Sequence, residues 1–288
     1  MKSGAVRKLE NKEKQNIPGK KKRNKKRRAL VILLIFFFAG LLVFLYPVFT
    51  KYFISHNANK EVDEFKDEME RIISEAVDNG ELDGSDADKG EEPLLPYMKV
   101  LKTAELPEHQ PYMDNLYQYM RRRNKELFET SQAELNGVES YQYPEFTLKY
   151  YGVKTDAIGT LEIDRLNLNL SIYLGANDVN LAIGSGHLTN TSYYIGGENT
   201  SCVIAVHRGL GGADFLRHVE KLEKGDIVRV RNFWYTLEYK VTDVKITEPD
   251  DVDSIHIQSG RDMLALYTCH PYGVNTQRYI VYCERVTE

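Results

Sequence analysis

Cysteine is scarce in this 288-residue sequence: three residues, Cys202, Cys269 and Cys283. An odd number so thinly spread excludes a fold built on a disulfide framework and leaves at least one thiol free or paired between chains. Charge is missing altogether between Ala29 and Phe49, a run long enough to cross a bilayer and too bulky and aromatic at its end for a cleaved signal peptide. No internal repeat is evident, which excludes a solenoid or propeller array. The C-terminus is polar and carries no second apolar span.

Basic charge is abundant, but only at one end. The block closing in "KKKRNKKRR" stands immediately before the apolar run, and the residues just after that run are poor in Lys and Arg. The positive-inside rule then keeps residues 1–28 as a cytoplasmic tail, residues 29–50 as a transmembrane anchor, and everything beyond outside the cell. A basic tail against a membrane span orients the chain and touches anionic lipid, so nucleic acid is not the expected partner. The net charge of -4 thus divides into a basic tail and an acidic ectodomain.

Residues 51–150 read as an extracellular helical and linker region. Val62, Phe65, Met69, Ile72 and Ile73 recur near helical spacing and predict an amphipathic helix ending around Gly80. Residues 83–93, "DGSDADKGEEP", read as a solvated linker; the spacing of Asp83, Asp86 and Asp88 does not fit a calcium-binding EF-hand loop. Residues 112–135 predict a second helix with Met113, Leu116, Tyr117, Met120 and Leu127 on one face.

From residue 151 the texture changes to short apolar or alternating runs broken by Gly, Asn and Asp. The runs are "IGTLEI", "LNLSIY", "CVIAVH", "DIVRVR", "WYTLEYKVTDVKI", "MLALYTC" and "RYIVYCERV". They predict a mostly β domain over 151–288, closed as a barrel, with a short helix at "ADFLRHVEKL".

Chemistry collects where these runs end. Cys269 closes one strand beside a Pro-Gly turn, and Arg278 opens the next strand nine residues later, so a tight loop returns both to one end of the sheet. His207 closes another apolar run before a glycine-containing turn. A thiolate that attacks a carbonyl, an imidazolium that protonates the leaving amine and a cation that holds the oxyanion form a coherent set. Each also has a plainer reading: a small core thiol, a rim histidine, and an arginine paired with a surface carboxylate. His187, in the Gly-rich stretch "AIGSGH", is the rival histidine. Cys202 and Cys283 fall within strand patterns and read as core residues.

"ALYTCHPYGVNTQR" resembles the active-site signature of sortases, Leu-x-Thr-Cys followed by an arginine, and "AVHRGLGGADFL" resembles the sortase histidine motif. With "EPDD" at Glu248 to Asp251 and "GHLTNTS" at Gly186 to Ser192, the wording is similar to class C, the pilin-polymerising branch. The resemblance covers roughly Ile158 to Val286 and implies a sortase-type eight-stranded barrel. It implies Cys269 as nucleophile, His207 as proton donor to the leaving group and Arg278 as the group that binds substrate and oxyanion. It further implies cleavage of an LPxTG-like sorting signal and transfer to a lysine amine of a pilin subunit, at a Gram-positive surface, with no metal or organic cofactor. Tyr143, Phe146, Thr268 and Arg208 are the candidate substrate-binding or lid residues.

The sequence departs from the family pattern in several places. Ala265 replaces the first Thr of the cysteine signature, and Tyr193 and Tyr194 stand where Leu-Pro is common. The Asp-Pro-aromatic lid of class C is absent, and "YQYPEF", Tyr141 to Phe146, occupies its place. Three alternatives stay open: a sortase using a peptidoglycan-precursor acceptor, a non-catalytic ectodomain that binds sorting signals, and a cysteine protease that releases its product to water.

Overall fold

The computed structural model describes residues 19–83, 95–210 and 213–287, with side chains from residue 26 onward. Most of the basic tail and most of the acidic linker, including Asp86 and Asp88, lie outside the described residues. The chain divides into two compact units, Met1–Phe49 and Thr50–Glu288. The first contains the start of helix α1 (Gly19–Asp78). Its residues from Leu30 to Phe49 are almost all exposed, and the helix is long and apolar enough to cross a membrane.

In the second unit the remainder of α1 carries Phe65, Met69, Ile72, Ile73 and Ala76 in one buried stripe. That stripe shares a core with Leu116, Tyr117 and Met120 of α2 (Asp114–Glu129) and with the strands that follow. Polar clamps fix the arrangement: Glu68 accepts from Arg71 and from the Lys154 backbone N–H, and the Tyr173 hydroxyl donates to Glu61 at 2.6 Å. The helical region before the barrel is therefore part of the same packed body. Helix α2 is shorter than its pattern because Ser131 and Gln132 adopt left-handed backbone just after it.

Eight strands follow: β1 (Ala157–Ile163), β2 (Leu168–Leu174), β3 (Ser185–His187), β4 (Thr200–Ala205), β5 (Ile227–Arg231), β6 (Thr236–Thr247), β7 (Asp262–His270) and β8 (Gln277–Arg285). They close in the order β1-β2-β3-β4-β7-β8-β6-β5, with β5 returning to β1. Pairs β2/β3 and β4/β7 are parallel and the others antiparallel. The expected mostly β, eight-stranded barrel is what forms.

The three adjacent strands β4, β7 and β8 are covered on both faces. Cys202, Ile204, Val206, Leu264, Leu266, Val281 and Cys283 point into the main core. Val203, Ala205, Ala265, Tyr267 and Ile280, which alternate with them, join a second cluster with Leu135, Tyr141, Ala176, Leu188 and Ile255. Burial of both faces explains why "CVIAV" and "MLALY" read as continuous apolar runs.

One local expectation needs correction, and one short helix was not expected. The segment "ADFLRHVEKL" forms turns and a single 3₁₀ turn, Val219–Lys221, because Phe215 takes a positive φ of 41° and the Leu216 N–H bonds to the His207 carbonyl. Before β3, the run "DVNLAI" forms a short helix, α3 (Asp178–Ile183), capped by the Asn177 side chain.

Candidate active site

The β7–β8 hairpin sets the site. Cys269 and Arg278 are direct partners in its antiparallel register, so their side chains leave the sheet on one face, with Cβ atoms about 5 Å apart. Strand β4 runs parallel to β7 with Ala205 level with Tyr267. The pairing continues past the strand end, where the Val206 N–H donates to the Tyr267 carbonyl at 3.0 Å and the Thr268 hydroxyl donates to the Val206 carbonyl at 2.6 Å. That carries the register to His207 beside Cys269. The three residues, each half-buried, thus meet at one rim, on the face that also bears Ala205, Tyr267 and Ile280.

Burial pushes the His207 imidazole below its ordinary value, and the Asp178 carboxylate opposes that shift. The Arg278 guanidinium lies 5.9 Å from the Tyr267 ring centroid and donates to the Gln277 and Asn275 carbonyls. Among the described residues no carboxylate pairs with it, which leaves a held but unneutralised cation on the face that also bears the thiol.

Tyr141 completes this face, and sequence reasoning missed it. It ends the 3₁₀ turn Val138–Tyr141 and sets its ring 6.4 Å from that of Tyr267, edge to face. Its phenol is pushed up by burial, which the Tyr267 hydroxyl and the Arg278 charge oppose. The Tyr141 carbonyl accepts from the Ala176 and Thr189 N–H groups, which straps the segment to the barrel. Gly175 makes room for the strap: at φ +82°, a Cβ there would stand 2.3 Å from the Gln142 carbonyl oxygen.

The expected lid residues lie elsewhere. Tyr143 is 71% exposed, and Phe146 packs among Tyr119, Tyr151 and Tyr193. Thr268 and Arg208 also need correction as substrate-facing groups. They are buried, at 3% and 5% exposure, and their hydrogen bonds run to the Val206 carbonyl, and to Cys269, His270 and Glu220, respectively. Both brace the rim from behind.

His187 is no rival. It is fully buried, stacked 5.0 Å from Tyr193, with its Nε2 donating to the Ser192 carbonyl at 3.0 Å, and burial pushes its pKa down to about 4. Cys202 and Cys283 are buried and free, with thiols pushed up by desolvation. Both flank Leu264 in the register, so two strand spacings, about 9–10 Å, separate them and a disulfide cannot close. Among the described residues no group of three or more His, Cys, Asp or Glu is placed to hold a metal ion.

Comparison with known proteins agrees with this geometry. The family model described as "Sortase domain" matches residues 161–286. Sortase D of Bacillus subtilis is 36% identical over 134 residues, which are 46% of this chain and 65% of that protein. Group B Streptococcus Pilus Island 1 Sortase C2 superposes with a TM-score of 0.52 at 30% identity, covering 60% of this chain and 98% of the solved one. Clostridium perfringens sortase C, solved with the C-terminal cell wall sorting motif, gives a TM-score of 0.52 at 32% identity, covering 61% and 90%. The chain spans 65% and 52% of the lengths of the curated relatives it matches. A barrel shared almost end to end at this identity, with the thiol, imidazole and guanidinium motifs at one rim, makes the chain a member of the sortase family.

Proposed function

We propose that this protein is a membrane-anchored cysteine transpeptidase of the pilin-polymerising type, with residues 151–288 as its catalytic barrel. The observation that carries the reading is the convergence of Cys269, His207 and Arg278 on one face of the β4/β7/β8 rim. Neutral His207, favoured by burial, accepts the thiol proton as Cys269 Sγ attacks the carbonyl carbon of an LPxTG-like signal. Arg278 stabilises the oxyanion. Collapse breaks the Thr–Gly C–N bond, and His207 passes its proton to the departing amine. The resulting thioester is attacked by a lysine amine of a pilin subunit, which forms the isopeptide bond and frees the thiol.

Likeness to sortases C supports both the substrate class and the acceptor. The apolar helix supports a single-pass anchor, and the basic residues before it support a cytoplasmic N-terminus. The strap ending at Tyr141 acts as a lid over the apolar face beside Cys269. Detergent-solubilised full-length protein, given a sorting-signal peptide with a pilin-derived lysine peptide, a peptidoglycan-like amine or neither, tests the acceptor. Isopeptide product with the lysine peptide is the expected result. Product only with the peptidoglycan-like amine, or only hydrolysis, overturns the pilin assignment.

A further inference from the structure

Arg208 directly follows His207, and its side chain is only 3% exposed. Its guanidinium binds three separate parts of the fold. Nη2 donates to Glu220 Oε1 at 2.5 Å, on the Val219–Lys221 turn. Nη1 donates to the Cys269 carbonyl at 3.3 Å and to His270 Nδ1 at 2.5 Å, at the end of β7. The group also lies 5.4 Å from the Tyr279 ring centroid on β8. An arginine only donates, so His270 presents its Nδ1 lone pair and carries its proton on Nε2.

As a stabilising device this is a poor one. A buried ion pair gains little over apolar packing of the same volume. The pair is also incomplete: Nε is buried with no partner among the described residues, and Glu220 is about half exposed. What the arrangement does provide is a rigid link from the residue after His207 to the carbonyl of Cys269. The two strand ends are parallel neighbours whose last backbone bond runs from the Val206 N–H to the Tyr267 carbonyl, one residue short of His207 and two short of Cys269. Arg208 takes over where the ladder ends.

We infer that Arg208, held by Glu220, is a positioning residue: it sets the separation and angle between the His207 imidazole and the Cys269 thiol without touching substrate. The inference deepens the transpeptidase reading, but its effect on the His207–Cys269 pair exists without any substrate.

The test uses the full chain in detergent and the variants Arg208→Met, Arg208→Lys and Glu220→Gln. With sorting-signal peptide, Arg208→Met is expected to lower kcat about 10- to 100-fold, the scale of a small misplacement of reacting groups, with KM within about twofold. Arg208→Lys restores part of kcat, and Glu220→Gln loses less than Arg208→Met. A substrate-free readout runs beside it: the pH profile of Cys269 alkylation by iodoacetamide, with and without His207→Ala. The profile is expected to respond to His207→Ala in the wild type and to respond much less in the Arg208→Met background. An intact response in that background overturns the inference, as does a kcat within about twofold of wild type. If peptide cleavage is absent from the wild type while the alkylation coupling depends on Arg208, the transpeptidase reading fails and the positioning role stands.

Discussion

The interior and the rim of the barrel hold the same residue types in opposite states. Cys202 and Cys283 sit mid-strand, sealed in the core with their thiols pushed up by desolvation, whereas Cys269 stands half-buried at the end of β7. His187 is stacked and neutral inside the fold, whereas His207 stands on the rim. For the cysteines, position along the strand sets the surroundings: burial on both faces removes water and partners alike, and the end of β7 restores access while neighbouring strands still fix the geometry.

Exchanging the cysteines breaks the comparison most severely. Cys269→Ala is expected to reduce cleavage of a sorting-signal peptide to background, a loss above about 10³-fold. Cys283→Ala should keep activity and cost about 1 kcal/mol in denaturant unfolding. Equal losses from both would erase the distinction between rim and interior.

The histidines come next. His207→Ala should cost about 10²- to 10⁴-fold in kcat, and His187→Phe should leave kcat nearly unchanged. His187 supplies a separate pH signature. Its folded pKa of about 4 lies below the ordinary histidine value of about 6.5, so between those pH values the unfolded chain binds a proton that the folded chain does not. Stability therefore falls with acidification from about pH 6.5 to 4, by roughly 3 kcal/mol for this group. Denaturant titrations should show that component removed in His187→Phe.

Arg278→Ala should lower kcat by about 10²-fold or more, with only part restored by Arg278→Lys, because a lysine has no planar fork to donate two parallel bonds. The lid gives the smallest effect. Tyr141→Ala should raise the rate of Cys269 alkylation about three- to tenfold, on the order of 1 kcal/mol of lost cover, while Tyr143→Ala leaves it unchanged; equal effects would show that the strap acts as a whole.

Seven strands were legible in the sequence because burial on both faces writes continuous apolar runs, as in "CVIAV" and "MLALY", and burial on one face writes alternation, as in "IVRVR". Strand β3 was not, since Ser185–His187 is three residues inside a glycine-rich stretch and takes its conformation from pairing with β2 and β4. The rim residues Cys269, His207 and Arg278 were legible because each stands where an apolar run meets a turn. Tyr141 was hidden, because "YQY" offers two tyrosines and only the hydrogen bonds of the 141 carbonyl decide which one faces the site. Arg208 and Thr268 looked substrate-facing for the opposite reason: a polar residue beside a reactive one gives no sign of which side of the sheet it takes.

The account rests on Cys269 forming an acyl bond at the rim. Intact and peptide mass analysis of the full-length protein mixed with an LPxTG-like peptide tests this directly. A mass increase matching the acyl fragment, mapped to Cys269 and absent from Cys269→Ala, is the predicted result. An adduct on Cys202 or Cys283, or cleavage that persists in Cys269→Ala, would contradict it.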